Sequence, residues 1–121
     1  MKNLLIAFNS RDELLRLDAR RIVYFEADGN YTHIVMTNKL KGTVGMNLGQ
    51  VEDVLAVRLK ERKSIFARIG KKFIVNLKYI YKVNPLKKQL VLTDFETFAY
   101  QLEVSREALK ALKDLMVNMK I

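Results

Sequence analysis

The chain has 121 residues and carries 22 Lys plus Arg against 13 Asp plus Glu, a formal net charge of +9. That length suits one domain over residues 1–121 and leaves no room for a second core of normal size. The absence of cysteine excludes a disulfide framework and a thiolate zinc site, while a pI near 9.9 makes polyanions the first class of partner to consider.

Leu4–Phe8 is a short apolar run and the longest without a charge. It falls far below the ~18 residues that span a bilayer and lacks the small-residue cleavage site of a secretory leader. A soluble, cytoplasmic protein without a membrane span is therefore expected. Strand character continues at Leu14–Leu17 and Arg21–Phe25. Asp28-Gly29-Asn30 is a turn cluster, and Tyr31–Thr37 is a further strand rich in β-branched residues. There Tyr31, His33 and Val35 share one face and Thr32, Ile34 and Met36 the other. Both faces are partly apolar, so alternation does not say which one meets the core.

The period changes at 47–60, where Leu48, Val51, Leu55 and Leu59 fall on one helical face behind Asn47 as N-cap. Glu52 and Asp53 lie early in this helix and Arg58 and Lys60 late, which suits the macrodipole. Strands are expected again at Ile65–Ile69, Phe73–Val75, Tyr79–Val83, Leu90–Thr93 and Thr97–Leu102, the last two as a hairpin around Asp94. Asn84-Pro85 holds the only proline and signals a turn. A final helix runs from Arg106 to about Met119, capped by Ser105, with Leu109, Leu112, Leu115, Met116 and Met119 as its apolar stripe. Few crossovers are available, so the economical architecture is a mostly antiparallel sheet system with short helices.

The charge is concentrated. Residues 61–90 hold nine basic side chains and one acidic, net +8, whereas 91–121 hold four and five, net −1. Concentrated cations favour a polyanion because binding releases its counterions. Enzymatic signatures are missing. A single histidine, His33, cannot form a histidine-rich metal site and is read as a hydrogen-bonding residue. No phosphate-cradling glycine loop and no GxSxG elbow occurs, and Glu26 and Asp28 read as a turn-capping pair. No enzyme and no cofactor is expected.

Three stretches are more specific: Arg21-Ile-Val-Tyr-Phe-Glu-Ala-Asp-Gly-Asn-Tyr-Thr32, Phe66-Ala-Arg-Ile-Gly-Lys-Lys-Phe-Ile-Val-Asn-Leu77 followed by Ile80, and Val104-Ser-Arg106. In order, and with the Leu48/Val51-Glu52 helix between the first two, they resemble the LytTR-type DNA-binding domain, the output domain of many bacterial response regulators. The likeness extends from about residue 4 to 118. It implies a mainly β fold, elongated, with about ten strands in stacked sheets and one or two short helices. It also implies a sequence-specific transcription regulator that enters the major groove of double-stranded DNA with loops rather than a recognition helix. The positions matching the family's contact loops are Asn30, Tyr31 and Thr32, then Lys71 and Lys72 beside Gly70, then Arg106. Arg68 also lies in the pattern, as a contact or as a structural residue.

Where the pattern has His-Arg-Ser, this chain has Gly70-Lys71-Lys72, which keeps charge and loses planar donors. Arg106 can give a guanine two parallel bonds. As a cation in a first helical turn it opposes the macrodipole, and a nearby phosphate or base supplies a reason for it. Asn76 and Ser105 read as structural caps. No receiver domain precedes the matched region, so a chain complete as given would be a stand-alone regulator not switched by its own phosphorylation. A second copy on a repeated DNA site and a regulatory protein are further candidate partners. Two other functions compete. One is a degenerate module that binds a protein partner and DNA only weakly or non-specifically. The other is a single-strand or RNA binder that stacks bases on Tyr31, Tyr79 and Tyr81.

Overall fold

The computed structural model describes residues 4–59 and 65–119. Lys60, and Arg62 and Lys63 of the basic segment, lie outside the described residues. Strands β1 (Leu5–Asn9) and β2 (Leu14–Asp18) form a two-stranded hairpin. The five strands β3 (Ile22–Asp28), β4 (Tyr31–Met36), β5 (Lys41–Val44), β6 (Phe66–Ile69) and β7 (Phe73–Asn76) form a sheet in the order β5-β4-β3-β7-β6. Strands β8 (Ile80–Asn84), β9 (Gln89–Thr93) and β10 (Ala99–Glu103) make a third sheet with β9 in the middle. Every pairing is antiparallel. Helix α1 (Leu48–Arg58) follows β5, and α2 (Arg106–Asn118) follows β10. The fold is thus mainly β, as expected.

The five-stranded sheet is buried on both sides. Phe25, Ile34 and Ile74 face one core, which Ile6 and Phe8 of β1 and Leu48, Val51 and Leu55 of α1 complete. Tyr24, Val35, Phe73 and Val75 face a second core, closed by Leu90, Leu92 and Leu102 and by Leu109 and Leu112 of α2. Two cores explain the ambiguous alternation of β4: Ile34 and Val35 are both buried because each side of the strand has its own. They also explain the run Ile22-Val23-Tyr24-Phe25, buried throughout as in any strand covered on both faces.

Local rules set the helix starts. Asn47 Oδ1 accepts from the Gln50 amide at 2.8 Å while Gln50 Oε1 accepts from the Asn47 amide at 2.9 Å, a reciprocal cap. Ser105 Oγ accepts from the Ala108 amide at 3.2 Å. Two expectations need correction. β5 was not anticipated: Lys41-Gly-Thr-Val44 offers only Val44 to the core and pairs on one side, as an edge strand can. In α2 the stripe is narrower than expected, because Leu115 is exposed whereas Leu109 and Leu112 are buried. Among the described residues no helix is long and apolar enough to cross a membrane.

Two polar side chains hold the frame. Asn76 is buried; its Nδ2 donates to the Ile22 carbonyl at 2.9 Å and its Oδ1 accepts from the Lys78 amide at 3.0 Å. Asp94 closes the β9–β10 hairpin: Oδ1 accepts from the amides of Glu96, Thr97 and Phe98 at 3.0, 2.8 and 3.1 Å, and the Thr97 hydroxyl donates to Oδ2. The Thr97 hydroxyl above all, with these amides, holds the Asp94 carboxyl well below the usual carboxylate range.

Asn76→Ala strands the Ile22 carbonyl, so it should cost about 1–3 kcal/mol in urea unfolding at neutral pH; a change under about 0.5 kcal/mol, the range of ordinary surface substitutions, would mean that water replaces the amide. For Asp94 the folded carboxyl titrates below its ordinary value of 3.8. Its stabilisation is therefore complete above that value and is lost as pH falls through the folded value. The gap in melting temperature between the protein and Asp94→Asn should narrow as pH is lowered from 7 to 3, and a pH-independent gap would contradict the assignment.

Candidate nucleic-acid interface

The β3–β4 connection is a two-residue turn, Gly29-Asn30, with Asp28 paired to Tyr31. Its first central residue has φ +61°, where a side chain would be strained and glycine is not. The turn leaves Asn30 and Tyr31 exposed. Strand alternation then turns Thr32 inward: it has no exposed surface and its hydroxyl donates to the Met46 carbonyl at 2.9 Å. This corrects the expectation of a Thr32 contact, because a fully enclosed hydroxyl cannot touch DNA; Thr32 instead ties β4 to the segment entering α1. His33 bonds Asp28 through Nε2 at 2.8 Å and Thr43 through Nδ1 at 2.9 Å. The histidine thereby ties the end of β3, beside the turn, to β5.

The β6–β7 turn, Gly70-Lys71-Lys72, is held by Arg68. Its Nε donates to the Gly70 carbonyl at 3.1 Å and Nη2 to the Lys71 carbonyl at 3.3 Å, while Nη1 meets Glu52 Oε1 of α1 at 2.8 Å. The guanidinium is therefore engaged on three sides, and Arg68 positions the turn. Lys72 is partly committed too: Nζ lies 3.4 Å from Glu26 Oε2 and 5.7 Å from the centre of the Phe73 ring. Lys71 is exposed and has no ion-pair partner among the described residues. Gly70 has φ +62°, the conformation that glycine adopts most readily.

The third element is the start of α2. Ser105 caps it, and Arg106 behind that cap is exposed with no ion-pair partner among the described residues. The Val104 amide donates to the Lys88 carbonyl at 3.0 Å, fixing this entry to the β8–β9 turn.

These three elements meet. β3 runs antiparallel to β7 with Glu26 opposite Phe73, and the Ala27 amide donates to the Lys72 carbonyl at 2.8 Å. The β3–β4 and β6–β7 turns therefore leave the sheet at the same end. On its other side the 70–72 turn rests against α2: a Cβ on Gly70 would stand 3.5 Å from the Ala108 Cβ. Asn30, Tyr31, Lys71, Lys72 and Arg106 thus share one end of the molecule, with the middle turn bridging the other two. Glu52 and Glu26, read from the sequence as a helix-start acid and one of a turn-capping pair, are the ones that hold this middle turn. Glu52 is 16 positions from Arg68, and no local pattern links the two.

The turn geometry can be probed by an internal comparison. Gly29 and Gly70 share the same positive φ, but a Cβ meets nothing within 4 Å at Gly29 and Ala108 at 3.5 Å at Gly70, an ordinary contact. Gly29→Ala and Gly70→Ala should therefore each cost about 1–2 kcal/mol, from the backbone alone. A Gly70→Ala cost several times that of Gly29→Ala in denaturant unfolding would show that the turn packs on α2 more tightly than this geometry.

The fold agrees with known proteins. A model of the LytTr DNA-binding domain matches residues 12–117. The heme-containing CO-sensing transcriptional regulator RcoM 1 of Paraburkholderia xenovorans (strain LB400) is 29% identical over 106 residues, which are 88% of this chain and 37% of that protein. The chain thus spans little more than a third of that relative's length. A solved LytTr DNA-binding domain from Bacillus cereus shares the fold with a TM-score of 0.64 and 21% identity, covering 96% of this chain and 98% of that one. With residues 12–117 inside the family model, the chain belongs to the LytTr DNA-binding domain family.

Proposed function

We propose that this domain binds double-stranded DNA sequence-specifically as the DNA-contacting part of a cytoplasmic transcription regulator, and that its turns enter the major groove. The observation that carries this reading is the convergence, at one end of the five-stranded sheet, of three turn segments bearing the unpaired cations Lys71 and Arg106. Arg106 reads a guanine through two parallel bonds to O6 and N7. Lys71 and Lys72 supply charge to phosphates or base edges, Lys72 after release from Glu26. Asn30 and Tyr31 contact the adjoining backbone. Arg68 and Thr32 act through the loops they hold and do not touch DNA.

Gly70 favours a second reading, a module with weak or non-specific DNA binding that docks a protein, because the middle turn lacks a fork-shaped donor. The stacking alternative loses support at Tyr79, which is buried and donates its hydroxyl to the Arg20 carbonyl at 2.9 Å.

A salt titration against duplex DNA separates these readings. With about four to six phosphates neutralised, log K should fall against log salt with a slope of roughly −4 to −5. Arg106→Ala should cost about 1–3 kcal/mol and relax the preference at one base pair, whereas Lys87→Ala should weaken all sequences alike. A slope near zero sinks duplex binding. An unchanged base-preference profile in Arg106→Ala removes Arg106 as a reader.

A further inference from the structure

Helix α2 carries a feature of which the turn-based interface uses only the first residue, Arg106. Arg106, Lys110 and Lys113 recur at i, i+4 and i+7, so they fall within about 60° of one another around the axis, with rises of about 6 and 4.5 Å between them. All three are exposed, and none has an ion-pair partner among the described residues. The buried residues Leu109 and Leu112 are centred about 100° around the axis from this row. Together with Asn84, Pro85 and Leu86 of the β8–β9 turn, and with Asp114, the three cations line an open groove. That turn also carries exposed Lys87 and Lys88, and its shape is fixed by the Lys87 amide on Asn84 Oδ1 at 3.1 Å and the Lys88 amide on the Pro85 carbonyl at 3.1 Å. Asp114 is the single acid of the groove lining.

The placement runs against what the helix itself prefers. Cations stabilise a helix in its last turn, yet the last turn of α2 has no basic residue, while Arg106 sits in the first. Glu107 in the same turn suits the macrodipole, but Arg106 has no ion-pair partner among the described residues, and an external anion at the helix N-terminal half accounts for its place.

We propose that this face of α2, with the 84–88 turn, is a phosphate-binding track that holds a stretch of DNA backbone beside the site read by the turns. It rests on the duplex-binding reading and adds Lys110 and Lys113 as positioning contacts without base preference. Continuity supports DNA over an acidic protein as occupant. The row begins at Arg106, which that reading already places on DNA, while the 70–72 turn meets α2 at Ala108, about 160° around the axis from Arg106.

The test uses the full chain with Lys110→Ala/Lys113→Ala, positions where alanine favours the helix, and the charge-preserving Lys110→Arg/Lys113→Arg. The probes are a random-sequence duplex of about 30 base pairs, long enough to extend past the turns along the track, and poly-glutamate. For the duplex the alanine variant should lose several-fold in affinity, and its salt slope should become shallower by about 1.8, two phosphates at about 0.9 each. The arginine variant should keep the slope, and the base-preference profile from a random-pool selection should not change. Wild-type affinity and slope in the alanine variant overturn the track while leaving duplex binding standing. Failure of the wild-type chain to bind the duplex overturns both readings. A loss of poly-glutamate binding with duplex binding unchanged assigns the face to an acidic protein and overturns the proposal.

Discussion

The burial of β3 on both faces is the constraint from which the rest of the molecule follows. Four consecutive residues, Ile22 to Phe25, are withdrawn from water, with Phe25 packed edge-on against Phe8 and Phe66 on one side and Tyr24 against Phe73 and Tyr100 on the other. A one-residue slip of a strand exchanges its faces. Here the two cores demand different side chains, so slippage misplaces both sets at once. The register of β3 against β4 and β7 is therefore fixed firmly, and with it the end of the sheet at which their turns emerge. The geometry of the turn-bearing end is in this sense a by-product of core packing several residues away.

Beyond the sheet end, polar bonds take over from packing. Arg68 links the 70–72 turn to α1, Lys72 meets Glu26, Thr32 holds the Met46 carbonyl, and His33 bridges Asp28 and Thr43. These contacts are largely solvent-accessible, and exposed ion pairs add little stability. Their effect is on conformation: each restricts a turn, which in the proposed reading lowers the ordering cost of binding DNA. In that reading loops take the place of a recognition helix because the sheet supplies rigidity up to the last paired residue, and one layer of side chains extends it by a turn.

Much of this architecture was legible in the sequence. The caps Asn47 and Ser105 follow from local hydrogen-bonding chemistry, and most strands follow from β-branched runs bounded by turn residues. What escaped is non-local. β5 has one core-facing residue and exists because β4 offers it an edge. Thr32 looked like a neighbour of Asn30 and Tyr31, but strand alternation sets it on the opposite face from Tyr31. Arg68 stood in the right motif with its role undecided, since Glu52 approaches it only in the folded chain. The motif identified the turns, and burial then divided their residues into those that face outward and those that hold the turn in place.

The cationic face of α2 shows a related blindness in charge arithmetic. Residues 91–121 sum to −1, and on that count the segment is the least inviting to a polyanion. Yet its acids are dispersed: Asp94 and Glu96 lie in the β9–β10 hairpin, Glu103 ends β10, Glu107 lies about 100° around the α2 axis from Arg106, and Asp114 joins the groove lining. Three of its four basic residues, Arg106, Lys110 and Lys113, are gathered on one exposed face. A duplex does not sum charge along a sequence. At physiological ionic strength its phosphates feel charges within roughly 8 Å, so what counts on this face is three cations against one acid, Asp114. Summed over 61–90 the sequence points to the turns, and resolved by helical face it adds α2, so the basic surface extends beyond the segment that first drew attention to it.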